Sequence, residues 1–226
     1  MNAPPVKTAL LFDLDGTLVD TDAEHLAAFQ RVLSPQGIVL DRALYTQRIM
    51  GFSNDLIAGE FLAHLTPVEQ AEIFDAKEAV YRANIGALVP LSGVIELLAF
   101  ADVHGLKRAV VTNAPRANAE MVLTALGFDT HLPIRVIGAE LQRAKPDPLP
   151  YLVGLERTGA NAAHSVAFED SCSGVRSAAA AGLAVVGITT SLDGNSLIEA
   201  GASIAIADYT DPRVIPFIHQ RMLNGA

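Results

Sequence analysis

The chain has 226 residues, 50% hydrophobic and 18% charged, so it is too apolar to stay disordered and long enough to bury a sizeable core. Its net charge of −9 argues against coating a nucleic-acid backbone and against binding an anionic membrane surface. The one cysteine, Cys172, excludes an intrachain disulfide and a cysteine-based zinc site.

The start of the chain, Met1-Asn2-Ala3-Pro4-Pro5, has no basic segment followed by a long apolar one, so no signal peptide is expected. The longest apolar stretch, near 178–188, is too short to span a bilayer. The expectation is a soluble cytoplasmic protein, monomer or homodimer. The first strand-like run is 9–12. Helical patterning then occupies 23–33, a short segment from Asp41, 54–65 and 68–84, the last opened by a capping box of Thr66 and Glu69. After Val89-Pro90, Ser92-Gly93 opens a helix over 94–103, and Gly105 stops it. A run at 109–111 is followed by Pro115, a helix over 118–126 and a closing Gly127. A run at 134–137 precedes Asp147-Pro148, a cap and first-turn proline for a helix that ends at Gly159. Further runs lie at 166–168, 184–188 and 204–207, with a helix-forming alanine run at 178–181.

These runs show no polar alternation, the pattern of strands covered on both faces. Alternation with helices predicts an α/β fold, a doubly wound parallel sheet. Residues 19–86 break that alternation and read as an all-α insert. The core is then 1–18 and 87–226, and the paired connections near 16–20 and 86–90 suit a hinged lid.

The first run ends Phe12-Asp13-Leu14-Asp15-Gly16-Thr17. In a continuing strand Asp13 and Asp15 would point to one side, and two such carboxylates repel unless a cation or proton lies between them. Taken alone, the segment reads first as solvated strand-end acids or a turn, since Asp-Gly is a good turn pair. A second acid pair, Glu169-Asp170, ends the run at 166–168. In a parallel sheet all strand carboxyl ends share one edge, where ligands bind, so the two pairs are expected to converge. An all-oxygen donor set without a histidine or cysteine cluster favours Mg²⁺ over zinc. Thr112-Asn113 reaches the same edge and could also be only a helix-capping pair. Lys145 precedes a capped helix; it is either a solvated lysine or one that reaches the acidic edge.

Taken together, Asp13-Leu14-Asp15-Gly16-Thr17, Thr112-Asn113, Lys145-Pro146-Asp147 and Glu169-Asp170 resemble the four ordered motifs of the haloacid dehalogenase superfamily. The insert resembles its helical C1-type cap, and the resemblance runs from Thr8 to about Asp208. It implies a Rossmann-like core and a small phosphorylated metabolite as substrate. Asp13 would be the nucleophile that becomes an aspartyl phosphate, and Asp15 the general acid and base. Mg²⁺ would be held by Asp13, the Asp15 carbonyl, Asp170 and Glu169, the last directly or through water. Thr112, Asn113 and the backbone of Leu14, Gly16 and Thr17 would hold phosphoryl oxygens, with Lys145 bridging nucleophile and phosphoryl group. The second aspartate and the metal acids argue against the hydrolytic dehalogenases. Lys77 resembles the Schiff-base lysine of phosphonate-cleaving members but has a simpler account as a solvated helix residue. The close rival is a β-phosphoglucomutase. His25 and Lys77 agree with a mutase; Thr17, the segment Thr112-Asn113-Ala114-Pro115-Arg116 and Asn54 at the usual place of a cap arginine disagree, with Arg116 as a substitute for that arginine. A phosphatase of a sugar phosphate or phosphoglycolate is the favoured reading. His25, Ser53, Asn54 and Lys77 are expected to face the substrate from the insert.

Overall fold

The computed structural model describes residues 8–223. The N-terminal residues read for a leader, and the outermost residues of the segments 1–18 and 87–226, lie outside the described residues. Six strands form one sheet: β1 (Ala9–Phe12), β2 (Lys107–Thr112), β3 (Ile134–Ile137), β4 (Val166–Glu169), β5 (Ala184–Ile188) and β6 (Ile204–Ile206). Their spatial order is β3-β2-β1-β4-β5-β6, and every pairing is parallel. The chain builds outward from β1 to β3, then crosses back and builds the other half from β4. The reversal between β1 and β4 opens a crevice at their carboxyl ends.

Both faces of the sheet are covered, which explains strands without polar alternation. Successive strand residues point to opposite faces. Leu10, Phe12, Val110 and Phe168 therefore pack under α5 (Val94–Val103), α6 (Arg116–Ala125) and α10 (Val214–Leu223). Ala9, Leu11, Val111 and Ala167 pack under α7 (Leu149–Thr158), α8 (Cys172–Ala180) and α9 (Gly194–Ala200). Each large side chain buried this way contributes roughly 1.5–3 kcal/mol before the entropy cost of ordering the chain is subtracted.

Between β1 and α5 the chain forms α1 (Asp22–Leu33), α2 (Arg42–Arg48), α3 (Asn54–Phe61) and α4 (Pro67–Asn84). These helices have an apolar cluster of their own, with Phe29, Leu33, Tyr45, Ile57, Leu62 and Phe74 at its centre. The capping box forms as expected: Glu69 N–H donates to Thr66 Oγ1 at 3.4 Å, and Thr66 N–H donates to Glu69 Oε2 at 2.8 Å. The helix expected over 54–65 ends earlier, at Phe61. Gln70 Nε2 bonds the carbonyls of Leu62 and Leu65 at 2.9 and 3.2 Å, so these groups are satisfied without further helical turns.

The two connections to this helical layer run together. Val19 bridges Asp15 on one side and Pro90 on the other. Leu91 N–H donates to the Leu18 carbonyl at 2.9 Å.

Candidate active site

β1 and β4 are neighbours, with Phe12 opposite Phe168. The residues that follow each strand therefore emerge together, and Asp13 N–H still donates to the Phe168 carbonyl at 3.0 Å. One carboxylate oxygen from each of Asp13, Glu169 and Asp170 lies within 4.8 Å of the others, and all three residues are buried. The carboxylate of Asp15 is not in this cluster. It accepts from Thr21 Oγ1 at 2.6 Å and faces His25 Nε2 at 3.4 Å. The expectation of four converging carboxylates is thus corrected to three. The strand ends at Phe12, and Leu18 N–H bonds the Leu14 carbonyl in a turn, so the two-residue alternation does not carry through to Asp15.

Two glycines permit the close approach. Gly16 has φ +74°, and a Cβ there would collide with the Asp170 carboxylate. A Cβ on Gly174 would collide with the Glu169 carboxyl.

Lys145 Nζ sits between two of the acids, 2.6 Å from Asp13 Oδ1 and 2.5 Å from Glu169 Oε1. Its backbone is clamped by Asn113, whose amide donates to the Lys145 carbonyl at 3.3 Å and accepts from the Lys145 N–H at 3.2 Å. Glu169 also accepts from Tyr151 Oη at 2.6 Å and Ser171 Oγ at 3.3 Å. Thr17 Oγ1 donates to Asp170 Oδ1 at 3.3 Å. Thr112 is buried, and its hydroxyl accepts from the Ala114 N–H at 2.9 Å. Thr21, Tyr151 and Ser171 carry no motif signal in the sequence; their roles come from hydroxyls brought in by the fold.

Burial pushes the Asp13 carboxyl up to about 8, against the pull of the Lys145 ammonium. Burial also raises Asp170 well above the usual carboxylate range, helped by Asp13 and Glu169. Burial acts upward on Asp15 as well, but His25 and Thr21 outweigh it and hold that carboxyl below its ordinary value. Burial would lower Lys145, yet Asp13 and Glu169 prevail and raise it. If all three buried carboxylates were ionised beside the one ammonium, two negative charges would be uncompensated at a cost on the order of several kcal/mol per ion, which is why Asp13 and Asp170 hold their protons so strongly without a cation. A divalent cation offsets that charge, and the all-oxygen donor set fits a hard one.

A cavity of about 120 Å³ opens between the strand ends and the helices. Asp13, Asp15, Thr112, Asn113, Lys145 and Asp170 line it from the sheet side; His25, Phe29, Tyr45, Met50, Asn54 and Lys77 line it from the helices. Glu169 lies behind this wall, in contact with Lys145. Leu14 turns its side chain into the apolar core. Ser53 lines a neighbouring groove of about 740 Å³, which Asn54 and Lys145 share with the cavity. Arg116 is on neither wall. It bonds Glu140 twice, at 2.7 Å each, and Glu120 at 3.2 Å.

Residues 10–188 match the family model described as haloacid dehalogenase-like hydrolase. Over 198 residues the chain is 34% identical to the phosphorylated carbohydrates phosphatase of Thermotoga maritima, covering 86% of this chain and 91% of that one. It is 30% identical over 208 residues to the validoxylamine A 7'-phosphate phosphatase of Streptomyces hygroscopicus subsp. limoneus, covering 90% of this chain and 94% of the other. Among solved structures, CbbY from Rhodobacter sphaeroides in complex with phosphate superposes with a TM-score of 0.80 at 26% identity, over 91% of this chain and 96% of that one.

Proposed function

Because the chain belongs to the haloacid dehalogenase-like hydrolases, we propose that it hydrolyses the phosphomonoester of a small phosphorylated metabolite of the sugar-phosphate or phosphoglycolate type. It is an enzyme, a phosphoric monoester hydrolase. The observation that carries this reading is the buried contact of Asp13 with Lys145 at the rim of the cavity, beside Asp170 and Glu169.

In the first step a carboxylate oxygen of Asp13 attacks phosphorus, and the bond from phosphorus to the ester oxygen breaks. Asp15 gives its proton to the departing oxygen, a proton it gains when the substrate's phosphate enters beside it and counters the pull of His25 and Thr21 toward the ionised form. In the second step a water attacks the aspartyl phosphate, Asp15 takes its proton, and the bond from phosphorus to the Asp13 oxygen breaks. His25 and Thr21 aim the Asp15 carboxyl toward the place where the leaving oxygen departs. Lys145 neutralises charge on Asp13 and on the phosphoryl oxygens. Thr112 and the backbone N–H of Leu14 receive those oxygens; the N–H groups of Gly16 and Thr17, expected to join them, are instead taken up by the Val19 and Leu14 carbonyls at 2.7 and 3.3 Å, and neither residue lines the cavity. Asn113, engaged with the Lys145 backbone, fixes the lysine.

Mg²⁺, held by Asp13, Asp170, the Asp15 carbonyl and Glu169, supplies charge neutralisation for phosphoryl transfer when bound. Residues 19–86 act as a cap over a core of 1–18 and 87–226, and His25, Asn54 and Lys77 read the leaving group from it. Hydrolysis is favoured over return of the phosphoryl group to a sugar phosphate. Arg116, the one substitute for a mutase cap arginine, is engaged by Glu140 and Glu120. Among the described residues no helix is long and apolar enough to cross a membrane.

Phosphate release from an aryl phosphate, with and without EDTA, tests the reaction. A panel of phosphorylated metabolites, run beside an assay for interconversion of β-glucose 1-phosphate and glucose 6-phosphate, tests its class. Release that survives the chelator, or interconversion without release, contradicts the reading.

A further inference from the structure

Helix α4 presents two adjacent stripes of polar side chains. Lys77 and Tyr81, four residues apart, face α1. The Tyr81 ring stacks on His25 at 4.0 Å, and Lys77 Nζ lies 2.9 Å from His25 Nδ1. Glu78 and Arg82, also four apart, face α6 on the sheet core. Asn118 Nδ2 donates to Glu78 Oε2 at 2.6 Å, and Arg82 Nη1 donates to Asn118 Oδ1 at 2.9 Å. Lys77 Nζ donates to Glu78 Oε1 at 3.0 Å, which joins the stripes. Asn118, Lys77 and Glu78 are 1%, 4% and 7% exposed. Buried polar groups of this kind cost stability unless every donor meets an acceptor.

The chain of bonds has a direction. An ammonium only donates, so His25 Nδ1 accepts from Lys77 and the ring hydrogen lies on Nε2. That nitrogen faces Asp15 Oδ1 at 3.4 Å. The sequence of contacts runs from Arg82 and Asn118 through Glu78, Lys77 and His25 to Asp15. It starts on a helix packed against the sheet and returns to the cavity through the helical layer. Glu78 also lines the cavity beside Lys77, but neither it nor Arg82 belongs to the acid cluster, so neither is needed to hold a cation.

We propose that Glu78, Asn118 and Arg82 are positioning residues that latch α4 onto α6 and thereby hold Lys77 and His25 in register with Asp15. The proposal rests on the hydrolase reading for what the held groups do; the latch itself is a statement about α4 and α6. In E78Q an amide donor meets the Asn118 amide. If Asn118 flips to relieve this, its donor meets Arg82 instead. In N118D two carboxylates face each other. The double variant E78Q/N118D satisfies every contact again: the introduced glutamine accepts from Lys77 and donates to the introduced aspartate, which still accepts from Arg82.

The experiment measures kcat, KM and the thermal midpoint for the wild type, both single variants and the double, with p-nitrophenyl phosphate and the best metabolite from the panel. Each single change is expected to lower kcat by about tenfold or more, since a misplacement near 1 Å far from the chemistry costs up to about 100-fold. KM for the small aryl ester should change less than kcat. The double variant should recover to within about threefold of the wild type. Two results overturn the proposal: single variants that melt lower yet turn over normally, and a double variant as slow as the worse single. Should the buried variants fail to fold, R82M at the exposed end carries the test. A lowered kcat with an unchanged midpoint supports the latch, and an unchanged kcat refutes it. A wild type that releases no phosphate from any substrate removes the hydrolase reading instead. The latch is then read from the midpoints alone, where recovery in the double variant supports it and additive losses refute it.

Discussion

The sheet core and the helical layer reach the same cavity by different physical means. In the core, Asp13 and the pair Glu169-Asp170 stand where adjacent parallel strands end, and the register of Phe12 with Phe168 fixes their spacing. Lys145 is locked between them by short contacts and by the two bonds of Asn113 to its backbone. In the helical layer, His25 and Lys77 project from helices with a separate apolar cluster, and paired connections link them to the sheet. Groups set by strand register cannot shift without breaking the sheet. Groups set by helix packing can shift as a unit. On the proposed function, the core carries the chemistry and the helices scale and select it.

The comparison breaks most visibly at Asp13. Asp13→Asn removes the proposed nucleophile and is expected to lower phosphate release by at least about 10³-fold while the fold persists, as circular dichroism would show. A variant that keeps a tenth of the activity contradicts the assignment. Chelation comes next. EDTA should lower turnover by about 100-fold or more, and added Mg²⁺ should restore it and raise the thermal midpoint, because a ligand that binds only the folded state stabilises it. On the helical side the effects are smaller and depend on substrate. Lys77→Met removes a charged hydrogen-bond donor from the cavity wall and should cost about tenfold in kcat/KM, unequally across a metabolite panel. Equal losses for all substrates would mean that the lysine acts only through His25 on Asp15 and takes no part in the choice of leaving group. The smallest effect belongs to the capping box. Thr66→Ala should cost about 1 kcal/mol in denaturant unfolding and leave kcat within about twofold.

The same contrast explains what could be read from the chain. The strands were legible because burial on both faces leaves runs such as Ala9–Phe12 and Ala184–Ile188 without a polar residue. Convergence of Asp13 with Glu169-Asp170 followed from parallel pairing alone, since parallel strands end on one edge. The helical insert was legible from its capping box and from the missing strands between 19 and 86. The side chain of Asp15 was not, because the strand rule ends at Phe12 and a turn begins. Nor were the supporting partners. Tyr151 meets Glu169 across 18 positions, Arg116 meets Glu140 across 24, and Arg82 meets Asn118 across 36. No local pattern marks such pairs; Glu169 and Asn118 are buried polar groups that must find a partner wherever the fold supplies one, while Arg116 and Glu140 meet at the surface.

The central claim is that Asp13 attacks phosphorus. It is tested most directly by rapid acid quenching during turnover, followed by mass spectrometry of the peptide that carries Asp13. A phosphoryl group on Asp13 is expected in the presence of Mg²⁺, and none after EDTA or in Asp13→Asn. Steady phosphate release with an unmodified Asp13 and the label on another residue would contradict the account.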